Sequence, residues 1–218
     1  MEKPTWSPEK LATWNTGRGF LLCLVVLSLL GGAAWIFLIK GLYLLPEEMC
    51  DGTLKRSMVT QLLPQARSAK DGSDRRGTGD DFSFSCYVTT SNDSSISGQV
   101  DIRPISKDEW VKNYQGDGED HSTVRISAKG VEAVAQLNAD SPAAGVYVSC
   151  IPPVIPSYNA SKPYAVVTEV TVAGDTKATG SGLRQALTDI AYRLTKHAYE
   201  LAECKDSHHF PEDLPRYH

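Results

Sequence analysis

An apolar run near the start of the chain constrains its fold more than any other feature. Residues 19–39 (GFLLCLVVLSLLGGAAWIFLI) are 21 consecutive residues without a charged side chain. As an α-helix rising about 1.5 Å per residue, this run is about 30 Å long, the thickness of the hydrocarbon layer of a bilayer. A helix in a soluble core carries a polar face at helical spacing, and this run has none. We predict a transmembrane helix over residues 19–42, preceded by a cytoplasmic arm of residues 1–18.

A cleaved signal peptide is the alternative for this segment. The apolar region of a signal peptide is about 7 to 15 residues long and ends at a small-x-small cleavage site. Residues 31–34 (GGAA) are the one candidate site, and the apolar run continues beyond them. A lipoprotein anchor is disfavoured because Cys23 lies near the start of the run. A retained anchor, with Cys23 as a small apolar residue, is the better interpretation.

Charge orients this anchor only weakly. The arm has three basic and two acidic residues, and the basic residues Lys40, Lys55 and Arg56 on the other side reduce the contrast. The cysteines are more informative, since four of the five follow the anchor: Cys50, Cys86, Cys150 and Cys204. An even number of cysteines suits an oxidising compartment, so we predict an extracytoplasmic domain. Its 18 basic and 24 acidic residues give a net charge of −6, which gives it no electrostatic reason to bind nucleic acid.

Hydrophobic periodicity predicts a series of short elements in this domain. Alternation of apolar and polar residues indicates a hairpin over residues 82–88 and 98–103 and further strands over 145–150 and 164–172. An edge strand is expected over 124–127, while residues 131–137 fit either a short helix or a strand. Near-helical spacing predicts helices over 52–63, with Asp51 as the cap, and over 182–203. Residues 65–81 have no period and are predicted to be an exposed loop.

The cysteines are the main constellation of the domain. Each half of it supplies one cysteine beside a helix and one on the apolar face of a strand, which favours pairing Cys50 with Cys86 and Cys150 with Cys204. Four cysteines allow three connectivities, and the sequence leaves the other two open. Their shortest separation is 36 residues, unlike the paired spacing of a zinc site or the C-x-x-C of a redox dithiol. We predict structural disulfides.

Other candidate sites have plainer explanations. His208 and His209 lie near Cys204, but the tail of residues 206–218 is predicted to be flexible and solvated. The acidic residues Asp117, Glu119 and Asp120 lack the spacing of a calcium loop, and residues 174–182 lack the G-K-[ST] of a phosphate loop.

The sequence also offers no catalytic signature. G-x-S-x-G is absent, and His121 and His197 are isolated from any candidate base in the sequence. No catalytic, cofactor-binding or metal-ligating residue is therefore predicted. Ser28 and Gly32 form a small-xxx-small pair that gives a weak case for a homodimer within the bilayer.

Four segments together resemble a known group of proteins: CDGTLKRSMVTQLLP after the anchor, the FSFSCYV and VYVSCIPP strands, and an alanine-containing last helix ending in Cys204. The chain resembles, over residues 15–205, uncharacterised actinobacterial single-pass membrane proteins with a small disulfide-bonded outer domain. The resemblance implies a location and a fold. It carries no catalytic residues over to this chain.

These observations lead to one architecture and two functional hypotheses. We expect an α+β domain of antiparallel hairpins packed on two helices, in two halves (43–105 and 123–205) joined by residues 106–122. The leading hypothesis is a non-enzymatic, membrane-anchored binding or accessory module of the cell envelope, whose partner is another membrane protein or a wall component. The alternative is an envelope hydrolase. A pocket with convergent Ser, His or carboxylate groups would favour the hydrolase.

Overall fold

The computed structural model describes residues 8–39, 41–114, 123–137, 141–153 and 163–217, with the side chains of the first helix described over 19–35. The acidic cluster Asp117, Glu119 and Asp120, together with His121, lies outside the described residues. The described chain forms the following elements: α1 (Pro8–Ile39), β1 (Glu48–Met49), β2 (Leu54–Lys55), α2 (Arg56–Leu62), β3 (Ala69–Arg76), β4 (Ser83–Thr90), β5 (Ser95–Pro104), α3 (Lys107–Lys112), β6 (Val124–Ala128), β7 (Val131–Gln136), β8 (Ala143–Ser149), β9 (Tyr164–Ala173) and α4 (Gly180–Leu201).

A seven-stranded antiparallel sheet is the centre of the domain, with strand order β3-β4-β5-β9-β8-β7-β6. The pairing of β5 with β9, which runs from Ser95 opposite Ala173 to Pro104 opposite Tyr164, joins the two predicted halves into this one sheet. The prediction of an antiparallel α+β domain is confirmed. Residues 131–137, for which the sequence left helix and strand open, contribute β7, and β6 is the expected edge strand.

Alternation along the strands gives the sheet two different faces. Val146, Val166 and Val170 point to one face and are fully buried beneath α4. The stripe of α4 that packs on them includes Leu187, Ile190 and Leu194, each with no exposed surface. We call this side of the sheet the covered face, because α2 and α4 lie on it. Burial of apolar surface on this face is the main source of stability in a domain of this kind, because the free energy gained is roughly proportional to the apolar area removed from water.

Two disulfides hold elements to the covered face. Cys50 is bonded to Cys86 on β4, and Cys150 at the end of β8 is bonded to Cys204 beyond α4. This is the pairing that the sequence favours. Cys23 on α1 is a free cysteine.

The predicted helix over 52–63 begins too early. The structure has a small hairpin of β1 and β2 before α2, and α2 starts only at Arg56. The turn of the hairpin places Cys50, Asp51 and Gly52 in the left-handed region, with φ of 52°, 58° and 81°. Asp-Gly is a favoured pair for such tight hairpin turns, so Asp51 forms the turn and is not a helix cap.

The predicted loop over 65–81 is also wrong in part, because it contains the edge strand β3. Residues 69–76 pair with β4 along their whole length, from Ala69 opposite Thr90 to Arg76 opposite Ser83. Most of their side chains are at least partly exposed, so no alternation of apolar residues marks the strand in the sequence. An edge strand is stabilised through its backbone ladder, and polar side chains there discourage pairing with other chains.

The boundary between the first helix and the domain differs from the prediction by three residues. The predicted span ends at residue 42, whereas α1 ends at Ile39 and Leu42 is fully buried in the core of the domain. Gly41 donates its N–H to the carbonyl of Ala66 at 2.8 Å, and a Cβ at this glycine would lie 2.3 Å from the carbonyl carbon of Arg67. The domain thus begins at residue 41. Among the described residues, no helix is long and apolar enough to cross a membrane.

The segment predicted to be a flexible tail packs along α4. Leu214 is buried, the hydroxyl of Tyr192 donates to the carbonyl of Pro211, and the hydroxyl of Tyr199 donates to the carbonyl of Asp206 at 2.5 Å. The backbone N–H of Tyr217 donates to the side chain of Gln185 at 3.1 Å. The segment has no regular structure, so its apolar residues follow no period that the sequence analysis could detect.

Candidate functional site

The second face of the sheet, which we call the open face, is only partly covered. The helix α3 lies on it, and the hydroxyl of Ser106 caps this helix by accepting a hydrogen bond from the N–H of Glu109 at 3.2 Å. Trp110 and Tyr114 are anchored there by a small apolar cluster that contains Val134, Tyr147, Ala165 and Val167. The segment of residues 106–122, interpreted from sequence as a connection, therefore carries the aromatic residues that cover this face.

A polar cleft of about 300 Å³ lies beside these aromatic residues. It is bounded by β5, β7, β8, β9 and the end of α3, and its described lining consists of Arg103, Trp110, Asn113, Tyr114, Gln136, Ser141, Ala143, Val167, Glu169 and Thr171. The cleft thus combines an apolar floor with amide, hydroxyl and charged groups around it. Most sites for small molecules are lined mainly by apolar and aromatic side chains, so this cleft is more polar than such sites usually are and suits a polar ligand.

Trp110, one of the residues that line the cleft, has a buried hydrogen-bond donor. Its side chain is 2% exposed, and its indole Nε1 is buried with no hydrogen-bond partner among the described residues. Leaving a buried donor unpaired costs about 1–3 kcal/mol, so such groups in folded proteins call for a partner. An ordered water or a bound molecule that reaches this nitrogen would supply one.

Tyr114 lies over a glycine that makes room for it. A Cβ at Gly145 would lie 2.3 Å from the hydroxyl oxygen of Tyr114, so any larger residue at that position would displace the ring. Burial, assisted by the negative charge of Glu169, raises the pKa of Tyr114, although Arg103 acts in the opposite direction. Tyr114 therefore stays protonated at neutral pH and offers a hydroxyl to the cleft.

The two charged groups of the cleft differ in whether they already form an ion pair. A terminal guanidinium nitrogen of Arg103 lies 2.9 Å from a carboxylate oxygen of Asp101, so this cation already has a partner. Glu169 is exposed and forms no ion pair within 4 Å among the described residues. The available charge at the cleft is therefore negative.

A buried carboxylate fixes α3 relative to the sheet. Glu132 on β7 is 6% exposed and accepts hydrogen bonds from Lys107 at 3.3 Å, Arg125 at 2.9 Å and Ser127 at 3.1 Å. Burial acts to raise the pKa of Glu132, but the hydrogen bonds from Arg125, Lys107 and Ser127 outweigh it and the pKa is lowered. Because Lys107 opens α3, this cluster ties the helix that carries Trp110 to β6 and β7.

The composition of the cleft suits reversible binding. Its described lining includes one carboxylate and neither histidine nor cysteine. Nucleophilic catalysis requires a nucleophile beside a base, and glycoside hydrolysis uses a pair of carboxylates. The described residues bring neither combination together in this cleft.

Residues singled out from the sequence lie elsewhere. The four paired cysteines belong to the disulfides of the covered face, and His208 packs against Tyr199 and Phe210. No group of three or more potential metal-ligating side chains occurs in the part of the chain that the structure describes. Ser28 and Gly32 are exposed on α1.

Sequence reasoning missed the cleft residues because they are scattered over five elements. One signal was present: the strand YAVVTEVTV alternates, and its outward-facing positions hold Glu169 and Thr171. A second signal was the aromatic pair Trp110 and Tyr114 in WVKNY, although the surrounding segment has no hydrophobic periodicity.

Comparison of this chain with protein-family models, with curated proteins and with solved structures gives no match in any of the three.

Proposed function

We propose that this protein is a membrane-anchored, extracytoplasmic binding module that holds a small polar ligand in the cleft of the open face. The observation that carries the proposal is a cleft lined by hydrogen-bonding side chains and by Trp110, whose buried indole nitrogen has no partner among the described residues. The disulfides support an oxidising location.

The lining determines which ligands fit. The amides of Asn113 and Gln136 and the hydroxyls of Ser141 and Thr171 can each donate and accept hydrogen bonds, while Glu169 attracts positive charge. A ligand with several hydroxyl or amide groups and an ammonium group satisfies this set. Amino sugars and short peptides of the cell envelope have this chemistry, so we propose that class.

The anchoring role of α1 is supported by its apolar side chains. The helix has 32 residues, and Phe20, Leu22, Leu27 and Trp35 are each 65–69% exposed. A contiguous exposed apolar surface of this kind requires a partner, and lipid is the one that the apolar run favours. Tyr43 and Leu44, which follow this helix, are also exposed, as the proposed anchor requires of residues at a membrane interface.

Binding is tested on the full chain in nanodiscs. Replacing Trp6, Trp14 and Trp35 by phenylalanine leaves Trp110 as the one tryptophan, whose fluorescence reports on the cleft. Titration with glucosamine and with short peptides should shift this emission, and Glu169→Gln should weaken binding at least tenfold. Glu212→Gln, an exposed carboxylate outside the cleft, is the matched control. No emission change with any of these ligands would contradict the proposed cleft function.

Anchoring is tested separately. The chain should remain in the membrane fraction after alkaline carbonate extraction, because a spanning helix is held by its burial in hydrocarbon. Leu24→Arg together with Leu27→Arg should release it, since each charge at the centre of a bilayer costs about 2.5–3.5 kcal/mol. Arginine at Leu44, outside the apolar run, is the control. Extraction of the unmodified chain by carbonate would contradict the anchor.

A further inference from the structure

A second depression, of about 160 Å³, lies between α4 and the turn of the β1–β2 hairpin. Its described lining consists of Thr53, Arg193, Lys196, His197 and Glu200. Four of these residues belong to α4 at spacings of three and four, so they share one stripe of the helix. We call this depression the basic pocket. It is remote from the cleft, because α4 lies on the covered face of the sheet and the cleft on the open face.

The fifth residue of the basic pocket, Thr53, belongs to the β1–β2 hairpin. Thr53 follows the tight turn of the β1–β2 hairpin, and its N–H donates to the carbonyl of Cys50 at 3.2 Å. The disulfide of Cys50 with Cys86 fixes this turn to the sheet. The ring of His197 is set by edge-on contact with Phe84, with ring centroids 5.3 Å apart. The fold thus holds both side chains in place.

Two polar atoms of the basic pocket are buried without partners. The hydroxyl of Thr53 and the Nε2 of His197 have no hydrogen-bond partner among the described residues, although both atoms are buried. Desolvating two such groups at one place costs free energy that a bound molecule would recover. Both atoms can act as donors, since a threonine hydroxyl and either ring nitrogen of histidine can carry the hydrogen.

The charges around these donors favour an anion. Arg193 and Lys196 form no ion pair within 4 Å among the described residues. The carboxylates nearby are Glu200, which lines the pocket, and Asp189, which lies one helical turn from Arg193 on α4. Burial raises the pKa of Asp189, although Arg193 acts in the opposite direction. Two cations therefore face one lining carboxylate.

We propose that the basic pocket binds a phosphate group. At about 30 Å³ for each water in the liquid, a volume of 160 Å³ holds about five water-sized groups, enough for one tetrahedral oxyanion. Arg193 supplies a planar pair of donors that matches phosphate oxygens, and Lys196 adds a point charge. Thr53 and His197 donate to the remaining oxygens. The group belongs either to free phosphate or to the headgroup of an anionic lipid, which offer the same chemistry.

The test uses the full chain in nanodiscs of neutral lipid, with labelled histidine observed by NMR. Inorganic phosphate should shift the ring signals of His197 saturably, whereas sodium chloride at equal ionic strength should not. Thr53→Val, which keeps the shape and removes the hydroxyl, should weaken phosphate binding about tenfold, and Arg193→Gln with Lys196→Gln should weaken it at least thirtyfold. Lys70→Gln with Lys177→Gln removes the same charge from exposed positions outside the pocket and should change binding less than twofold.

A second arm distinguishes the source of the phosphate. Nanodiscs containing phosphatidylglycerol should compete with added phosphate if the headgroup reaches the pocket, and should not compete if the ligand is soluble. Equal shifts with chloride, or unchanged phosphate binding in both the Thr53 and the Arg193 and Lys196 variants, would overturn the proposal. If the pocket holds only a bridging water, phosphate should not shift the His197 signals. A saturable shift would exclude that explanation. None of these outcomes depends on the cleft.

Discussion

The two faces of the sheet are built from the same strands and do different work. On β9, Val166, Thr168 and Val170 point to the covered face and are buried under α4, while Glu169 and Thr171 point to the open face and line the cleft. The covered face is continuous and almost entirely apolar. The open face has an apolar patch under α3 and polar side chains beside it.

Under the proposed function, this difference separates stability from ligand binding within one sheet. Residues of the covered face contribute by being excluded from water, and a change there is felt throughout a closely packed core. Residues beside the cleft on the open face, such as Glu169 and Thr171, bury less surface. We therefore expect substitutions on the covered face to act on the free energy of unfolding and substitutions at the cleft to act on binding.

Removal of a disulfide should have the largest effect. Cys150→Ala with Cys204→Ala opens a loop of 54 residues, and the chain-entropy relation gives a loss of about 4 kcal/mol in the free energy of unfolding. Chemical denaturation under non-reducing conditions measures it. Cys23→Ala, which removes the free thiol on α1, is the matched control and should change the free energy by less than about 0.5 kcal/mol. A loss below about 1 kcal/mol in the double variant would contradict the expected rank of this effect, because removing a native disulfide typically costs about 2–5 kcal/mol.

A pair of glycine substitutions compares the faces directly. A Cβ at Gly98 would lie 2.4 Å from Cδ1 of Leu194 in the packed covered face, so Gly98→Ala should lower the unfolding free energy by about 2 kcal/mol. Gly145→Ala meets the hydroxyl end of Tyr114 at 2.3 Å and Cζ2 of Trp110 at 3.0 Å, so both rings beside the cleft must shift. It should lower the unfolding free energy by about 1–3 kcal/mol and also abolish the response of Trp110 fluorescence to ligand, whereas Gly98→Ala should leave that response unchanged. Loss of the response in Gly98→Ala, or its persistence in Gly145→Ala, would contradict the distinction between the faces.

The hydroxyls of Thr168 and Thr195 form a buried hydrogen bond within the covered face. Thr195 donates to the carbonyl of Ala191 at 2.7 Å, so its contact of 2.6 Å with Thr168 makes Thr168 the donor. Thr195→Val leaves that donor buried and unpaired and should cost about 1–2 kcal/mol, whereas Thr168→Val leaves only a spare acceptor and should cost less. The double variant should be closer to wild type than Thr195→Val alone. Thermal unfolding of the three variants tests the order, and equal losses for both single variants would refute the assigned direction.

The pH dependence of Glu132 should give the smallest effect. Its pKa is lower in the folded chain, so its contribution is present above the carboxyl pKa of the unfolded chain and is lost as pH falls through the folded pKa. Glu132→Gln should cost about 1 kcal/mol at pH 7, discounted because Lys107 and Arg125 are half-exposed. The difference between variant and wild type should shrink toward acid pH. A difference that is constant from pH 7 to pH 3 would exclude the ion-pair contribution.

Local patterns were enough to predict much of the fold. The alternation of Phe84, Cys86 and Val88 marks β4, and the stripe through Leu187 and Leu194 marks α4, because burial of one face imposes a period on the sequence. The same patterns place the cysteines beside buried faces, and this is why they favour the observed pairing. Segments without a buried stripe were not predicted. Strand β3 is held by its backbone hydrogen bonds to β4, and residues 205–217 pack on α4 without regular structure.

The sequence by itself determined the apolar segment, the strands of the covered face, the last helix and the preferred disulfides, since each depends on spacing between neighbouring residues. Only the tertiary structure decided that β5 pairs with β9, that α3 lies on the open face, and that Trp110, Tyr114 and Glu169 meet at one cleft. These contacts join residues far apart in the chain. No local periodicity predicts these contacts, because polar side chains on an open face impose no repeating pattern on the sequence around them.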